Sequence, residues 1–391
     1  MAPHQFDSKP LKVNTMRPRI MTRSLLLVFA ASFGATVSFY LLLSVVPLYA
    51  TSAGASGIGA GMTTAVLMLS TVAAEFAIPS LVNRFGYRVI FGAGLFLLGV
   101  PALFLAESAS MATILAVCVV RGLGFAVFVV VGSALVAQLV PPERRGEGLG
   151  VFGVVVGIPG VIALPLGVWL IGQVGYPPVF IAGAVAALAG LVGVAGLPGR
   201  APKPEQSLSI LGGLRQGALV RPAIVFSASA MASGVVLTFL PLALPNGSNL
   251  AALGLLAQAV AATIGRWWAG KHGDRHGPAR LLIPGVVVAA VGLGMLVMIA
   301  NPIAVLAGML LFGAGFGVTQ NASLTLMFNQ VSPGGYGTVS ALWNLAYDAG
   351  LGLGAAGFSV LATQTGYPAA FACTAVLMLV ALAARGRVTK Q

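Results

Sequence analysis

Asn83-Arg84-Phe85-Gly86 and Asp274-Arg275-His276-Gly277 are two short stretches of similar pattern, 191 residues apart. The same offset relates Gly175-Tyr176-Pro177 to Gly366-Tyr367-Pro368. It is kept by further residues, which are Gly122, Gly124, Phe125, Pro142, Gly146 and Phe180 in the first copy and Gly313, Gly315, Phe316, Pro333, Gly337 and Phe371 in the second. Because chance similarity would not hold one register over such a distance, the chain is predicted to contain two copies of one unit.

The composition is that of a membrane protein. Hydrophobic residues make up 58% of the 391-residue chain and charged residues 7%, whereas a soluble domain carries about 25% charged residues. Apolar runs of about 20 residues recur along the chain, and such a run crosses a bilayer as a helix. We therefore predict an all-α membrane protein with about twelve transmembrane helices, at residues 24–49, 58–82, 89–106, 111–139, 148–172, 178–197, 222–244, 250–270, 280–300, 302–328, 337–362 and 368–384.

Six spans in each copy give the two copies the same orientation, so two six-helix bundles are expected to be related by a pseudo-twofold axis along the membrane normal. The predicted organisation is an N-terminal segment (1–23), a first half (24–198), a linker (199–221) and a second half with a short tail (222–391). The first apolar run is longer than the core of a signal peptide, and we interpret it as a retained span.

The net charge of +13 follows the predicted topology. Lys and Arg cluster before the first span, in connections on one side and after the last span. Connections on the opposite side, such as 51–57, 173–178 and 245–249, carry none. By the positive-inside rule, both termini and the linker are predicted to be cytoplasmic in a multi-pass protein of the plasma (inner) membrane. Because the positive charges follow the topology, they do not indicate a nucleic-acid-binding surface. Membrane lipids are the expected surroundings.

The connection after span 2 of each half carries a recognisable motif. Residues 270–277 of the second half read GKHGDRHG, which resembles the G-x-x-x-D-R-x-G-x-[RK] motif of the major facilitator superfamily. The first half keeps part of it, with Asn83 in the place of the acid. In that family the acid pairs with a neighbouring arginine as a cytoplasmic latch, so the resemblance implies a weaker latch in the first half. The candidate gate residues are Asn83, Arg84, Gly86, Arg88, Gly270, Asp274, Arg275 and Gly277.

The resemblance covers essentially the whole chain and implies a transporter that acts as a monomer. Arg121 is similar to the span-4 arginine of the family, which implies proton coupling or substrate binding; an arginine bonded to backbone carbonyls is the alternative. Residues 153–160 of span 5 resemble the Gly-Pro motif of drug:proton antiporters, with Gly153, Gly157 and Pro159 as its candidate residues. The proline follows the second glycine by two positions instead of one, so the antiporter resemblance is looser than the superfamily resemblance.

Acids inside spans are rare in this sequence, and a charge at a helix centre costs about 2.5–3.5 kcal/mol on insertion scales. Asp348, midway along span 11, is the clearest case, and we interpret it either as a proton-carrying group or as a structural hydrogen-bonding carboxylate. Glu75 of span 2 stands at the repeat position of Arg266. Because span 2 packs on span 11 in the family fold, Glu75 is expected to face span 11, in a coupling, gating or structural role.

Polar and aromatic residues on the spans that line the cavity in this family are candidate substrate contacts. These are Thr36, Tyr40, Gln320 and Asn321, together with Trp343, Asn344 and Tyr347 on the same helical stripe as Asp348. Hydroxyls bonded to their own helix are the commoner explanation for Ser and Thr. With Arg121 as the one cation considered there, strongly anionic substrates are disfavoured.

These features predict a secondary transporter and no enzyme, cofactor or metal site. The chain has no P-loop for ATP, and His272 and His276 have no ligand cluster around them. Our prediction is proton-coupled efflux, as antiport, of small amphipathic organic compounds by alternating access. The alternatives are a sugar or nutrient permease, acting as symporter or facilitator, and a lipid flippase or scramblase.

Overall fold

The computed structural model describes residues 21–140, 145–197, 210–244, 248–331 and 336–383. Within these ranges the chain forms helices and short connections and no strand. The first half contains α1 (Arg23–Leu43), α2 (Val45–Ser52), α3 (Gly57–Glu75), α4 (Ile78–Phe85), α5 (Tyr87–Glu107), α6 (Met111–Leu139), α7 (Arg145–Val174), α8 (Tyr176–Ala189) and α9 (Leu191–Val194). After the short α10 (Ile210–Gly213), the second half contains α11 (Gly217–Ala243), α12 (Ser248–His276), α13 (Ala279–Met295), α14 (Pro302–Phe328), α15 (Tyr336–Thr365) and α16 (Tyr367–Ala383).

Among the described residues, eleven helical segments are long and apolar enough to cross a membrane, and Tyr367–Leu382 is a shorter apolar helix at the twelfth predicted position. The all-α membrane fold predicted from the sequence is therefore confirmed. Several boundaries differ from the prediction. Span 8 continues as α12 to His276, so residues 270–276 of the second gate motif lie in a helix and not in a connection. Span 2 ends at Glu75, because Pro79 opens a separate helix, α4, in its first turn, where a missing backbone N–H is tolerated. Span 7 begins at Gly217, inside the stretch predicted as linker.

The internal repeat is visible in the backbone. Gly86 and Gly277 have φ of 82° and 86°, and Gly175 and Gly366 have φ of 76° and 78°. Each pair is related by the 191-residue offset, and each glycine lies one or two residues before the helix that follows it. This left-handed region is open to glycine but costly for other L-residues, which is the physical reason for the repeated glycines.

Helix packing repeats with the same offset. Gly122 of α6 lies directly against the carbonyl of Leu67, and its counterpart Gly313 of α14 lies directly against the carbonyl of Gln258. A side chain at either glycine would collide with the neighbouring backbone. Close approach through small residues replaces the hydrophobic driving force that helices lack in lipid. The two bundles therefore share their internal packing as well as their sequence pattern.

The two halves meet along two pairs of helices, α3 with α15 and α7 with α12. This agrees with the pairing of span 2 with span 11 and of span 5 with span 8 that the family resemblance implied. We call the end of the bundle that holds Arg23, Arg84 and Lys271 the basic face, and the end that holds Gly54 and Gly175 the opposite face.

Hydrogen bonds join the halves near the opposite face. Ser44 donates to the carbonyl of Leu237, and the hydroxyls of Thr64 and Thr238 are 2.9 Å apart. Gly61 packs against Ser359 close by. The structure is thus closed at the opposite face.

Candidate functional site

Glu75 and Asp348 lie beside each other at the contact between α3 and α15. Their carboxyl groups are close enough to interact directly, and both side chains are buried, with 9% and 3% of their surface exposed. Oε1 of Glu75 has no hydrogen-bond partner among the described residues. Two negative charges side by side in a buried site repel each other, so such a pair is suited to sharing a proton. The structure brings together the two acids that the sequence singled out.

Two tyrosines and an arginine lie on one side of this acid pair. Tyr40 of α1 and Tyr347 of α15 come from opposite halves, and both lie within electrostatic reach of Asp348 and of Arg266 on α12. Tyr347 also contacts Ser233 of α11. The site therefore contains phenol, carboxyl and guanidinium groups from both halves.

An aromatic cluster that includes Tyr347 lies in the second half. We define it as Phe226 of α11, Phe316 of α14, and Trp343 and Tyr347 of α15. The Phe226 ring stacks on Trp343 and Tyr347, with centroid distances of 4.4 and 5.8 Å. Nε1 of Trp343 donates to Oγ of Ser323 at 3.1 Å, which fixes the indole ring. Phe226 and Phe316 are buried, so the partly exposed Trp343 and Tyr347 provide the accessible ring surface of the cluster, with polar atoms at its edge.

The remaining predicted cavity residues have different environments. The hydroxyl of Thr36 bonds the carbonyls of Ser32 and Phe33 in its own helix, which favours the structural interpretation of that residue. Gln320 is buried, and its Oε1 has no hydrogen-bond partner among the residues that the structure describes. The Asn321 amide lies beside Gly270 of α12, and Asn344 is partly exposed on α15.

Arg121 occupies a separate position between α1, α5 and α6. Its guanidinium, 1% exposed, donates to the carbonyl of Leu98 at 2.6 Å and to the carbonyl of Ser38 at 3.1 Å. A narrow crevice beside it, lined also by Cys118 and Thr64, has room for about one water molecule. These bonds match the alternative in which backbone carbonyls hold the arginine, and they support a role in joining three helices.

The glycines of the antiporter-like motif do not lie at a close contact between helices. Gly153 and Gly157 face open space, and Pro159 is buried within the continuous helix α7. The close approach to α1 is made further along, where the Tyr40 ring lies against Gly160 and the carbonyl of Leu41 lies against Gly167. In this conformation, α7 therefore meets the site at Gly160.

The gate-motif residues lie at the basic face. Asn83 and Arg84 are exposed on α4, and Arg88 donates from Nε and Nη2 to the carbonyl of Leu197 at 3.1 and 2.7 Å. Gly86 and Gly277 have the positive φ described above. The predicted latch of the second half depends on the side chains of Asp274 and Arg275, which lie outside the described part of the structure.

Three residues of this site were not among the sequence candidates, namely Arg266, Phe226 and Phe316. Arg266 could have been found from the sequence, because it stands at the repeat position of Glu75. Phe316 matches Phe125 in the repeat, and Phe125 likewise stacks in an aromatic cluster of the first half, on Phe39 at 3.7 Å. Phe226 carried no signal that a single sequence could reveal.

Comparison with known proteins agrees with this architecture. A family model described as Major Facilitator Superfamily matches residues 28–355. No curated protein matches the chain. Similar solved structures include a D-xylose–proton symporter (16% identity, TM-score 0.75, covering 92% of this chain and 96% of that one). They also include the nucleoside transporter NupG (13%, 0.73, 93% and 98%) and a bacterial homolog of the human lysosomal transporter Spinster in an inward-facing form (14%, 0.74, 92% and 94%).

At these identities the structural matches show the fold, and the family model shows the membership. The chain belongs to the major facilitator superfamily and is a membrane transporter.

Proposed function

We propose that this protein is a proton-coupled secondary transporter that exports small amphipathic organic compounds by alternating access. The observation that carries the proposal is the buried Glu75–Asp348 pair, which lies where the two halves meet and beside the aromatic cluster. We further propose that it acts as a monomer in the plasma (inner) membrane, with the basic face and both termini in the cytoplasm.

The acid pair can link proton binding to the movement of the halves. With one proton, the two carboxyl groups can share a hydrogen bond and hold α3 against α15. Without it, the two negative charges would repel each other. For scale, two unit charges at about 4 Å repel by about 4 kcal/mol at an effective dielectric constant of 20. A bias of this size changes a two-state equilibrium by about a thousandfold. Loss of the proton therefore favours the conformation in which the contact opens.

The aromatic cluster supports the choice of substrate. Its stacked faces and few polar atoms suit a compound with one flat apolar part and a small polar part. Trp343 and Tyr347 are the partly exposed members of the cluster, so a bound ring would lie against α15 of one half while Tyr40 reaches it from the other. Substrate and proton would then act on the same interface.

The test uses purified protein in proteoliposomes with a pH-sensitive dye inside and a panel of amphipathic compounds and sugars outside. We expect compound-induced proton movement opposite to the compound, and its loss in Asp348→Asn. Trp343→Ala should lower the apparent affinity at least tenfold, whereas Trp267→Ala, an exposed tryptophan of α12, should not change it. Proton flux that is unchanged in Asp348→Asn would contradict the proposal.

A second candidate is proton symport of a polar nutrient such as a sugar or nucleoside. The buried Oε1 of Gln320 favours it, because this unpartnered acceptor could bond a substrate hydroxyl. The same experiment separates the two, since protons then move with the compound. Equilibration of the compound without proton movement would indicate a facilitator, and lipid movement without any gradient would indicate a scramblase.

A further inference from the structure

Arg266 lies on the face of α12 that is turned toward the interior. One turn before it, Ala262 packs against Gly317 of α14, and one turn after it, Gly270 faces the amide of Asn321 on α14. Residues four apart share a helix face, so Arg266 points in the same direction. The neighbouring Trp267 and Ile264 are exposed on other faces of the helix.

The Arg266 side chain is nevertheless exposed, although protein surrounds it on most sides. An exposed side chain on an inward face borders accessible space within the molecule. The phenols of Tyr40 and Tyr347 lie within electrostatic reach of its guanidinium. It forms no ion pair or hydrogen bond with another described residue. An arginine without a carboxylate partner inside a membrane protein is expensive, which points to a functional reason for keeping it.

The other charges near this space are less accessible. Asp348 and Glu75 are buried and face each other, and Arg121 is enclosed by carbonyls of α1 and α5. Among the described residues around this space, a molecule that enters therefore meets one accessible charge, and that charge is positive. Guanidinium binds carboxylate, sulfonate or phosphate in a bidentate manner, and phenols can add hydrogen bonds to the same oxygens.

We propose that Arg266 binds the anionic group of the substrate, and that the substrates are amphipathic organic anions whose apolar part lies on the aromatic cluster. This inference deepens the proposed function and rests on it. It reverses the preference against anionic substrates that Arg121 alone suggested, because the accessible cation is a different arginine.

The experiment measures binding of three dansyl compounds that share one fluorescent ring system: dansylglycine (an anion), dansylamide (neutral) and dansylcadaverine (a cation). Dansyl fluorescence rises in an apolar site, so purified protein in detergent gives a dissociation constant without transport or a proton gradient. We expect wild type to bind dansylglycine at least tenfold more tightly than dansylcadaverine. Equal affinity, or a preference for the cation, would overturn the proposal.

Variants of Arg266 test whether this residue causes the preference for the anionic compound. Arg266→Gln should lower dansylglycine affinity at least tenfold and leave dansylamide affinity within a factor of three. Arg266→Lys should keep a reduced preference, since an ammonium group lacks the bidentate geometry. Arg221→Gln, which removes an exposed arginine at the start of α11, is the matched control and should bind like wild type.

A full anion preference in Arg266→Gln would refute the assignment. If Arg266→Gln does not fold, the wild-type preference and the Arg266→Lys result still decide the question. Binding of dansylglycine without proton flux in liposomes would sink the proton-coupled function and leave the anion site standing, whereas proton flux with cationic compounds alone would do the reverse.

Discussion

The carboxyl groups of Glu75 and Asp348 face each other across the contact between the two six-helix halves, although 273 residues separate them in the chain. One acid ends α3 and the other lies midway along α15. Any change in the distance between the halves at this level changes the distance between the two acids. In the proposed mechanism, proton binding by this pair would therefore depend on the conformation of the transporter.

Neutralising either acid should uncouple transport from protons. In Glu75→Gln and Asp348→Asn, we expect compound-driven proton flux to fall at least tenfold, because the amide cannot exchange a proton. Exchange of labelled compound between the two sides of the liposome, with no pH gradient, should continue. Glu107→Gln is the control, since Glu107 is an exposed acid at the end of α5, and its flux should equal that of wild type. A Glu75→Gln protein with normal flux would confine the coupling role to Asp348.

Cross-linking near the opposite face should lock the transporter. With Cys118 and Cys373 replaced by alanine, the pair Thr64→Cys and Thr238→Cys is expected to form a disulfide under mild oxidation, because the two hydroxyls are 2.9 Å apart. Transport should then fall at least tenfold and recover on reduction, since the closed contact can no longer open. Each single cysteine variant should be insensitive to oxidation. Full transport by a quantitatively cross-linked protein would show that this contact stays closed throughout the cycle.

Arg121 should matter for stability more than for substrate charge. Arg121→Gln removes the long side chain that joins the carbonyls of Leu98 and Ser38, and we expect a loss of about 1–3 kcal/mol in stability. The thermal unfolding midpoint in detergent measures this. The preference among the three dansyl compounds should remain, because Arg121 is enclosed. A stable Arg121→Gln protein with an altered charge preference would instead place Arg121 in the substrate site.

The glycines offer a matched pair of tests. Gly122→Ala and Gly313→Ala should each lower the unfolding midpoint, because a methyl group there meets a backbone carbonyl and overpacking costs about 1–3 kcal/mol. Gly153→Ala should not lower it, since the space around Gly153 is open and alanine favours a helix. Equal effects at Gly122 and Gly153 would show that the α6–α3 packing does not set stability.

Gly157→Ala separates folding from function in the antiporter-like motif. It is expected to fold as well as wild type, because nothing lies within reach of an added methyl group in this conformation. Reduced transport by a stable Gly157→Ala protein would indicate that this glycine is needed in another conformation of the cycle. Unchanged transport would indicate that the motif resemblance has no functional content here.

The sequence by itself determined the helical membrane fold, the number of spans to within one short helix, and the existence of two equivalent halves. These features are local or periodic: an apolar run must form a helix in lipid, and a glycine such as Gly86 or Gly175 is required wherever the backbone turns with positive φ. Asp348 was also detectable from sequence, because an acid within a span is costly wherever it points.

The tertiary structure decided which side chains meet. Arg121 and Arg266 are both arginines inside spans, and their sequence neighbourhoods do not distinguish the one that backbone carbonyls enclose from the one that borders accessible space. Phe226 looks like any apolar residue of a span until α11, α14 and α15 bring it onto Trp343. The hydrophobicity of a segment predicts whether that segment forms a membrane helix. A binding site depends in addition on which faces of several helices are turned toward one another, and helix packing sets those orientations.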